Sequence, residues 1–210
     1  MKEFVTIKHN AKTEIIEKKS KFIANIFYVE NMEEIQKNIK NVRKEYYDAR
    51  HNCVAYRVLD EGNLIERFSD DGEPSGTAGA PMLDILQKKQ LLNVLIIVTR
   101  YFGGILLGTG GLVRAYTESL LNAIEATELV KKEIGEEMQI TLSYSEFENF
   151  KYYCKTNNVK ILEIKYFEDI TCNIELSDEK MSKLLKDFET KKVNLMKMQE
   201  IGKKYIEKSD

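Results

Sequence analysis

An arginine and two aromatic residues follow a long apolar run near the middle of the chain. Residues 93–99 read NVLIIVT, and Arg100, Tyr101 and Phe102 come directly after them. A continuous apolar run bounded by polar residues predicts a central strand with both faces covered. At the end of such a strand, a guanidinium group could pair with phosphate while rings stack on unpaired bases, as in RNA-binding surfaces. The alternative interpretation is that the two rings pack within the protein and that the arginine finds its hydrogen-bond partners there.

Glycines surround this strand end. Eight of the eleven glycines and both prolines lie within residues 68–117, and the second glycine cluster leads into a predicted amphipathic helix. A helix N-terminus preceded by glycines offers free backbone N–H groups to an anion, and Arg114, one turn into the helix, could join Arg100 there. The glycines of this second loop are Gly103, Gly104, Gly108, Gly110 and Gly111.

The glycine segment does not match the common nucleotide-binding motifs. It lacks the Lys-Ser/Thr pair of a P-loop, and Val113 stands where the dinucleotide fingerprint needs its third glycine. We therefore expect no cofactor. Two interpretations of residues 108–111 remain open: an anion or backbone-phosphate site, or a turn that lets the helix pack closely on the strand.

Three carboxylates, Asp70, Asp71 and Glu73, lie in the first glycine loop, which begins DDGEP. Paired carboxylates can bind Mg²⁺ or act in acid–base chemistry, but Asp-Gly-Glu-Pro is also strong turn chemistry. Closing a turn and pairing with Arg100 or Arg114 are therefore alternatives to a metal site. The three residues do not form a complete ligand set, and we expect no metal.

His51 and Cys53 are two residues apart, so they would share one face of a strand. A cysteine nucleophile with a histidine base is one interpretation, and a core cysteine beside a surface histidine is the other. Ser75 lacks the glycine that a nucleophile elbow needs two residues before its serine. We predict no catalytic residue, but His51 remains a candidate binding residue.

The composition is that of a globular chain without a large net charge. The 210 residues are 43% hydrophobic and 31% charged, and the net charge is -2. This balance gives no general attraction to nucleic acid or membranes, so any basic site must be local. The three cysteines form no CxxC, and no apolar run approaches the roughly 20 residues of a membrane span. We therefore expect a cytoplasmic protein.

In the first half of the chain, the spacing of apolar residues predicts alternating strands and helices. Residues 13–17 and 22–29 predict a strand hairpin, residues 31–47 an amphipathic helix, and residues 53–59 and 64–68 two further strands. Residues 82–86 suggest a short helix before the central strand.

From Lys131 onward, the predicted order is β-α-β-β-α-β, which is ferredoxin-like. Ser145 with Glu148 makes a capping box for the first helix, and Ser177 starts the second. The polar stretch 131–137 is the predicted linker, with Gly135 capping the preceding helix. Four apolar residues of the second helix are predicted to face inward: Met181, Leu184, Leu185 and Phe188.

Two long strings within the glycine segment resemble the signature of the Impact family, in its bacterial YigZ/YvyE branch. They are DDGEPSGTAGAPML at residues 70–83 and VTRYFGGILLGTGGLVRAY at residues 98–116. The strings SKFIA at residues 20–24 and HNCVAYR at residues 51–57 reinforce them. The two-domain layout of the family also matches the predicted boundary, so the resemblance covers nearly the whole chain.

The resemblance implies an α+β fold with two domains. Residues 1–131 would form an Impact N-terminal domain, similar to the second domain of ribosomal protein S5, and residues 137–207 a ferredoxin-like domain similar to domain five of elongation factor G. Eukaryotic Impact proteins are regulators of translation, so the resemblance also implies a translation-linked role.

Our leading hypothesis is a non-enzymatic regulator that binds RNA or a ribosome-associated partner where the two glycine loops meet. A small-molecule enzyme is one rival, which would take a phosphorylated or anionic substrate at the helix N-terminus. A protein-interaction module is the other, and it predicts an exposed apolar patch around Tyr101 and Phe102. The candidate binding residues are His51, Asp70, Asp71, Glu73, Arg100, Tyr101, Phe102, Gly103, Gly104, Gly108, Gly110, Gly111 and Arg114.

Overall fold

The computed structural model describes residues 3–208, which form a mixed α and β chain with two sheets. The chain divides into two compact units. The first runs from Glu3 to Val130, and the second begins at Lys131. No helix within residues 3–208 is both long and apolar enough to cross a membrane.

The first unit has a five-stranded antiparallel sheet with strand order β2-β3-β6-β4-β5. The apolar run therefore forms the central strand, as predicted, and β2 and β3 form the predicted hairpin. Strand β1 lies outside this order, and its Val5 carbonyl accepts a hydrogen bond from the Leu92 N–H. The elements are β1 (Glu3–Ile7), β2 (Ala11–Glu17), β3 (Ser20–Tyr28), α1 (Met32–Glu45), β4 (His51–Asp60), β5 (Asn63–Ser69), α2 (Gly79–Lys88), β6 (Val94–Tyr101) and α3 (Gly108–Glu125).

Strand β6 contributes to two cores because its side chains alternate between the two faces of the sheet. Ile96 and Val98 pack with α2 and α3, whereas Leu95 and Ile97 pack with α1. The same alternation directs Arg100 toward α3 and places Tyr101 with the α1 core. The two residues therefore lie on opposite faces.

The second unit has the order β-α-β-β-α-β, with β9 between β7 and β8 and with β10 on the other side of β7. The pairings of β10 with β7, of β7 with β9 and of β8 with β9 are antiparallel. Its core lies between this sheet and the two helices and includes Ile140, Phe150, Cys172 and Leu184. The elements are β7 (Leu129–Leu142), α4 (Tyr144–Thr156), β8 (Lys160–Tyr166), β9 (Ile170–Ser177), α5 (Asp178–Glu189) and β10 (Lys197–Glu207).

The predicted linker at residues 131–137 is wrong. Helix α3 already ends at Glu125, and residues 129–142 form the continuous strand β7. Gly135 does not cap a helix but pairs with Ser177 inside the sheet, where a Cβ would come within 2.5 Å of Ile206 Cδ1. The stretch is polar in sequence, yet β10 pairs with residues 132–137 on one side and β9 pairs with residues 135–137 on the other, so it belongs to the sheet.

Two details of the helices in the second unit also differ from the prediction. Ser143, not Ser145, is the N-cap of α4, and its side chain makes no capping hydrogen bond. On α5, Leu185 and Phe188 are exposed, and Asp187 is buried instead, where its carboxylate accepts a hydrogen bond from the Tyr153 hydroxyl at 3.0 Å. The buried face follows residues spaced three apart, so it turns away from Leu185.

All three cysteines are buried and free, which predicts thiols that do not react in the native protein. Burial raises the pKa of Cys53 and of Cys154 to about 12, and it raises the pKa of Cys172 as well. Because the thiolate is the nucleophile, we expect Ellman's reagent at about pH 8 to label no cysteine in the folded chain and all three after denaturation. Rapid labelling of any one cysteine without denaturant would contradict this.

Candidate functional site

A buried ion pair lies at the end of β6. Arg100 Nη1 donates a hydrogen bond to Glu73 Oε1 at 2.7 Å, and the two side chains are only 7% and 3% exposed. Tyr116 of α3 donates its hydroxyl hydrogen to the same oxygen at 2.9 Å. The guanidinium carbon also lies 5.4 Å from the ring centre of Phe22 and 5.6 Å from that of Phe102. Arg100 is therefore a buried cation whose charge Glu73 balances.

His51 lies beside this pair because β4 and β6 pair with His51 opposite Arg100. Its Nδ1 is 2.8 Å from the carbonyl oxygen of Asp71. A carbonyl oxygen only accepts, so Nδ1 carries the hydrogen, and in the neutral ring Nε2 is an acceptor. Nε2 lies 3.8 Å from Glu73 Oε1. The histidine is thus held in one orientation next to the buried carboxylate.

The other two carboxylates of the first loop hold that loop in place, Asp70 from within it and Asp71 by attaching it to β4 and α1. Asp70 Oδ1 accepts hydrogen bonds from the backbone N–H groups of Ala78 and Gly79 at 3.0 and 2.8 Å, and its Oδ2 accepts one from Gly76 at 2.8 Å. Asp71 accepts hydrogen bonds from the Asn52 N–H at 2.7 Å and from Arg43 at 3.0 Å. Among residues 3–208, no three His, Cys, Asp or Glu side chains are placed to hold a metal ion.

Cys53 is not arranged as a nucleophile for His51. Its thiol is fully buried, with Sγ 3.0 Å from the Asp70 carbonyl oxygen and 3.3 Å from the Tyr116 hydroxyl. Burial also raises the pKa of Tyr116 far above its usual value, so the hydroxyl keeps the hydrogen that it donates to Glu73. Cys53 and Tyr116 therefore support the buried carboxylate from the core side.

The second glycine loop is shorter than predicted because α3 already begins at Gly108. Gly110 and Gly111 lie in the first turn of that helix. Gly103 approaches the turn between β2 and β3 so closely that a Cβ would lie 2.0 Å from the Lys19 carbonyl carbon, and its N–H donates to Ser20 Oγ at 3.2 Å. The loop at residues 102–107 is thereby fixed to the sheet.

The two glycine loops border a cavity of about 390 Å³. Its charged and ring-nitrogen groups come from Arg50, His51, Glu73 and Arg100. The apolar residues that line it are Pro74, Phe102, Leu106, Leu107 and Leu112, and α3 contributes Gly108 and Thr109. The volume is in the range of small-ligand sites, which are mostly apolar with a few polar groups.

The structure brings only part of the predicted set to this cavity. His51, Glu73, Arg100, Phe102 and Gly108 line it. Tyr101 does not, because it lies on the other face, where its hydroxyl donates to Asp48 at 2.7 Å; this hydrogen bond raises the pKa of Tyr101 to about 12.

Arg114 is exposed on α3 and is outside the cavity lining, so it does not join Arg100. Arg50 and Leu106 also line the cavity, although neither was predicted from the sequence. The sequence contained two indications of them: an isoleucine and two leucines lie between glycines, and a cation lies directly before His51.

Comparison with known proteins shows which family has this site. The family model described as the Impact N-terminal domain matches residues 18–124, a range that contains every residue lining the cavity. IMPACT family member YvyE of Bacillus subtilis is 37% identical over 167 residues, which cover 80% of this chain and 76% of that protein. The chain belongs to the Impact family. The predicted family is therefore confirmed.

Two further comparisons extend over most of this Impact-family chain. IMPACT family member YigZ of Escherichia coli is 33% identical over 188 residues, which cover 87% of this chain and 92% of that protein. A crystal structure described as that of a hypothetical protein has a TM-score of 0.63 and 29% identity, and the match covers 96% of this chain and 98% of that one. The similarity thus includes both units.

Proposed function

We propose that this Impact-family chain is a cytoplasmic, translation-linked binding protein whose partner contacts the cavity and the loop beside it. The first unit would be the domain similar to the second domain of ribosomal protein S5, and the second unit the ferredoxin-like domain. The β-α-β-β-α-β order, with β10-β7-β9-β8 as the strand order, supports the second assignment. The role in translation rests on membership of the Impact family.

The observation that carries the proposed binding role is an exposed apolar loop at the edge of the cavity. Phe102 and Ile105 are 44% and 42% exposed, and Leu106 is 83% exposed. Gly103 fixes one end of this loop, since it packs against the β2–β3 turn and its N–H donates to Ser20 Oγ. Apolar side chains grouped in this way mark sites of contact with another molecule.

A protein partner fits this surface better than RNA. Leucine and isoleucine have no ring to stack on a base, and stacking is the main apolar contact in single-strand recognition. Arg100, the cation expected to hold phosphate, is buried and balanced by Glu73. We therefore propose a ribosome-associated protein as the partner, and RNA dependence becomes an outcome of the test.

One observation favours a second candidate function, an enzyme for an anionic small molecule. His51 Nε2 and the Glu73 carboxylate lie 3.8 Å apart and both residues line the cavity, so each could take a proton from a bound substrate. Turnover of phosphorylated metabolites in a cell extract, followed by phosphorus NMR, would support the enzyme if His51→Ala abolished it.

We expect Leu106→Asp to weaken capture of the partner protein from a cell lysate by about tenfold or more, because the charge would replace a central apolar contact. Leu64→Asp is the matched control. Leu64 is also an exposed leucine, 45% accessible, and it lies at the end of β4 and β5 that is opposite to the cavity. Both variants are compared with and without ribonuclease. Equal capture by the two variants would contradict the proposed surface, and loss of partners on ribonuclease treatment would favour RNA.

A further inference from the structure

The groups that line the cavity leave an excess of positive charge. Arg50 and Arg100 are cations and Glu73 is the single carboxylate among the residues that line it. Arg100 and Glu73 balance each other at 2.7 Å, Asp70 is bonded within its own loop, and Asp71 is bonded to Asn52 and Arg43. Arg50 is exposed and takes part in no ion pair between residues of the range 3–208. The cavity therefore favours a negatively charged ligand.

The start of α3 adds donors to the same cavity. Leu107 is the N-cap of this 18-residue helix, its side chain forms no capping hydrogen bond, and the first turn has no acidic residue. The first N–H groups of a helix have no partner within it, and they carry the positive end of the helix dipole. Gly108 and Thr109, the first two residues of α3, line the cavity.

A second and independent observation comes from the guanidinium group. The Arg100 side chain is 93% buried and lines the cavity, yet its Nε has no hydrogen-bond partner among the protein atoms of residues 3–208. Buried donors are almost always paired in folded proteins, so an unpaired one indicates a partner that the protein itself does not supply.

Part of the cavity lining is apolar. Pro74, Phe102, Leu107 and Leu112 line it beside the donors, and Leu106 forms part of the lining while remaining exposed. An inorganic ion alone would leave this apolar surface in contact with water. A ligand that also carries an apolar group would bury it, and burial of apolar surface is favourable.

We infer that the cavity binds a carboxylate or phosphate group carried on an apolar body. The anionic group would pair with Arg50, the unpaired Nε of Arg100 and the first N–H groups of α3, and the apolar body would contact Phe102 and the neighbouring leucines. This inference rests on the proposed function in one respect: the partner protein would present such a group, for example a chain terminus or an acidic side chain beside apolar ones. A free small molecule with the same chemistry would bind in the same way.

The test is NMR titration of the full chain, observed through the ring protons of its two histidines. His51 lines the cavity, and His9 is exposed outside it and serves as the internal control. The probes are phenyl phosphate and benzoate, which combine an anionic group with an aromatic ring. Inorganic phosphate, which has only the anionic group, and phenol, which has only the ring, are the controls. We expect phenyl phosphate or benzoate to shift the His51 signal and leave His9 unchanged, with binding at least about tenfold tighter than that of inorganic phosphate or phenol.

Two charge variants locate the binding site. Arg50→Glu should weaken binding at least about tenfold, whereas Arg114→Glu, an exposed arginine on α3 outside the cavity, should leave it unchanged. No shift of His51 with either aromatic anion, equal binding of inorganic phosphate or phenol, or equal loss in both variants would overturn the inference. The relative affinity for phenyl phosphate and benzoate identifies the anionic group.

The inference and the proposed function fail separately. Loss of partner capture in Leu106→Asp depends on the exposed loop and requires no small probe. If the aromatic anions bind but capture does not depend on Leu106, the cavity is a small-molecule site and the protein-binding proposal is wrong. If capture depends on Leu106 but no anion binds, the proposed function stands without this ligand.

Discussion

Arg100→Met should destabilise the first unit by about 3–5 kcal/mol, because it leaves the Glu73 carboxylate buried without its counter-charge. The methionine fills much of the space of the arginine stem, so the cost arises from the unpaired charge and only in small part from a cavity. Native-state hydrogen exchange at the amides of β4 and β6 measures this cost within the first unit. The chain has no tryptophan to serve as an optical probe.

The control is the double variant Arg100→Met with Glu73→Gln. It removes both charges, and the glutamine amide oxygen can still accept the hydrogen bond from Tyr116. We expect the double variant to lose less stability than Arg100→Met alone, since replacing a buried ion pair by neutral groups is often close to neutral. A cost below about 1 kcal/mol would contradict this prediction, because that is the cost expected for an ion pair exposed to water.

Gly103→Ala should destabilise the first unit by about 1–3 kcal/mol or more, because the loop and the β2–β3 turn must separate to admit a methyl group. The new Cβ would lie 2.0 Å from the Lys19 carbonyl carbon and 2.4 Å from the Ser20 backbone nitrogen. Both obstacles are backbone atoms, so no side-chain rotation relieves the contact. Hydrogen exchange at the β2 and β3 amides measures the loss.

Gly110→Ala is the matched control from the same glycine-rich segment, and it should change stability in the opposite direction. Gly110 lies within α3, and a Cβ there meets no atom within 4 Å. Alanine is favoured over glycine in a helix by roughly 0.5–1 kcal/mol, so the variant should be as stable as the natural chain or slightly more so. If both substitutions destabilised the chain equally, the loss would come from replacing any glycine of this segment and not from the close backbone contact at Gly103.

The elements around the site could be predicted because they depend on local apolar spacing. The run NVLIIVT formed the central strand, and the helix expected over residues 31–47 formed as α1, whose N-cap Asn31 accepts a hydrogen bond from the Glu34 N–H. Glycines were harder to interpret. They suggested a loop through residue 111, but Gly108 adopts a positive φ of 72° and α3 starts there.

The partners of the charged residues could not be predicted from local sequence. Glu73 and Arg100 are 27 residues apart, and only the folded sheet brings the first loop over the end of β6. An exposed arginine and a buried, paired one look the same in a sequence. The position of Tyr101 could have been predicted, however, since adjacent residues of a strand point to opposite faces.

Asp70 has a consequence for how fast a partner can bind. Its single carboxylate holds three backbone N–H groups, so the loop from Asp70 to Gly79 is already shaped before any partner arrives. A preformed surface avoids the entropy loss of ordering a loop on binding. Association should then be limited by diffusion and orientation rather than by rearrangement, and differences in affinity among partners should reside in their dissociation rates.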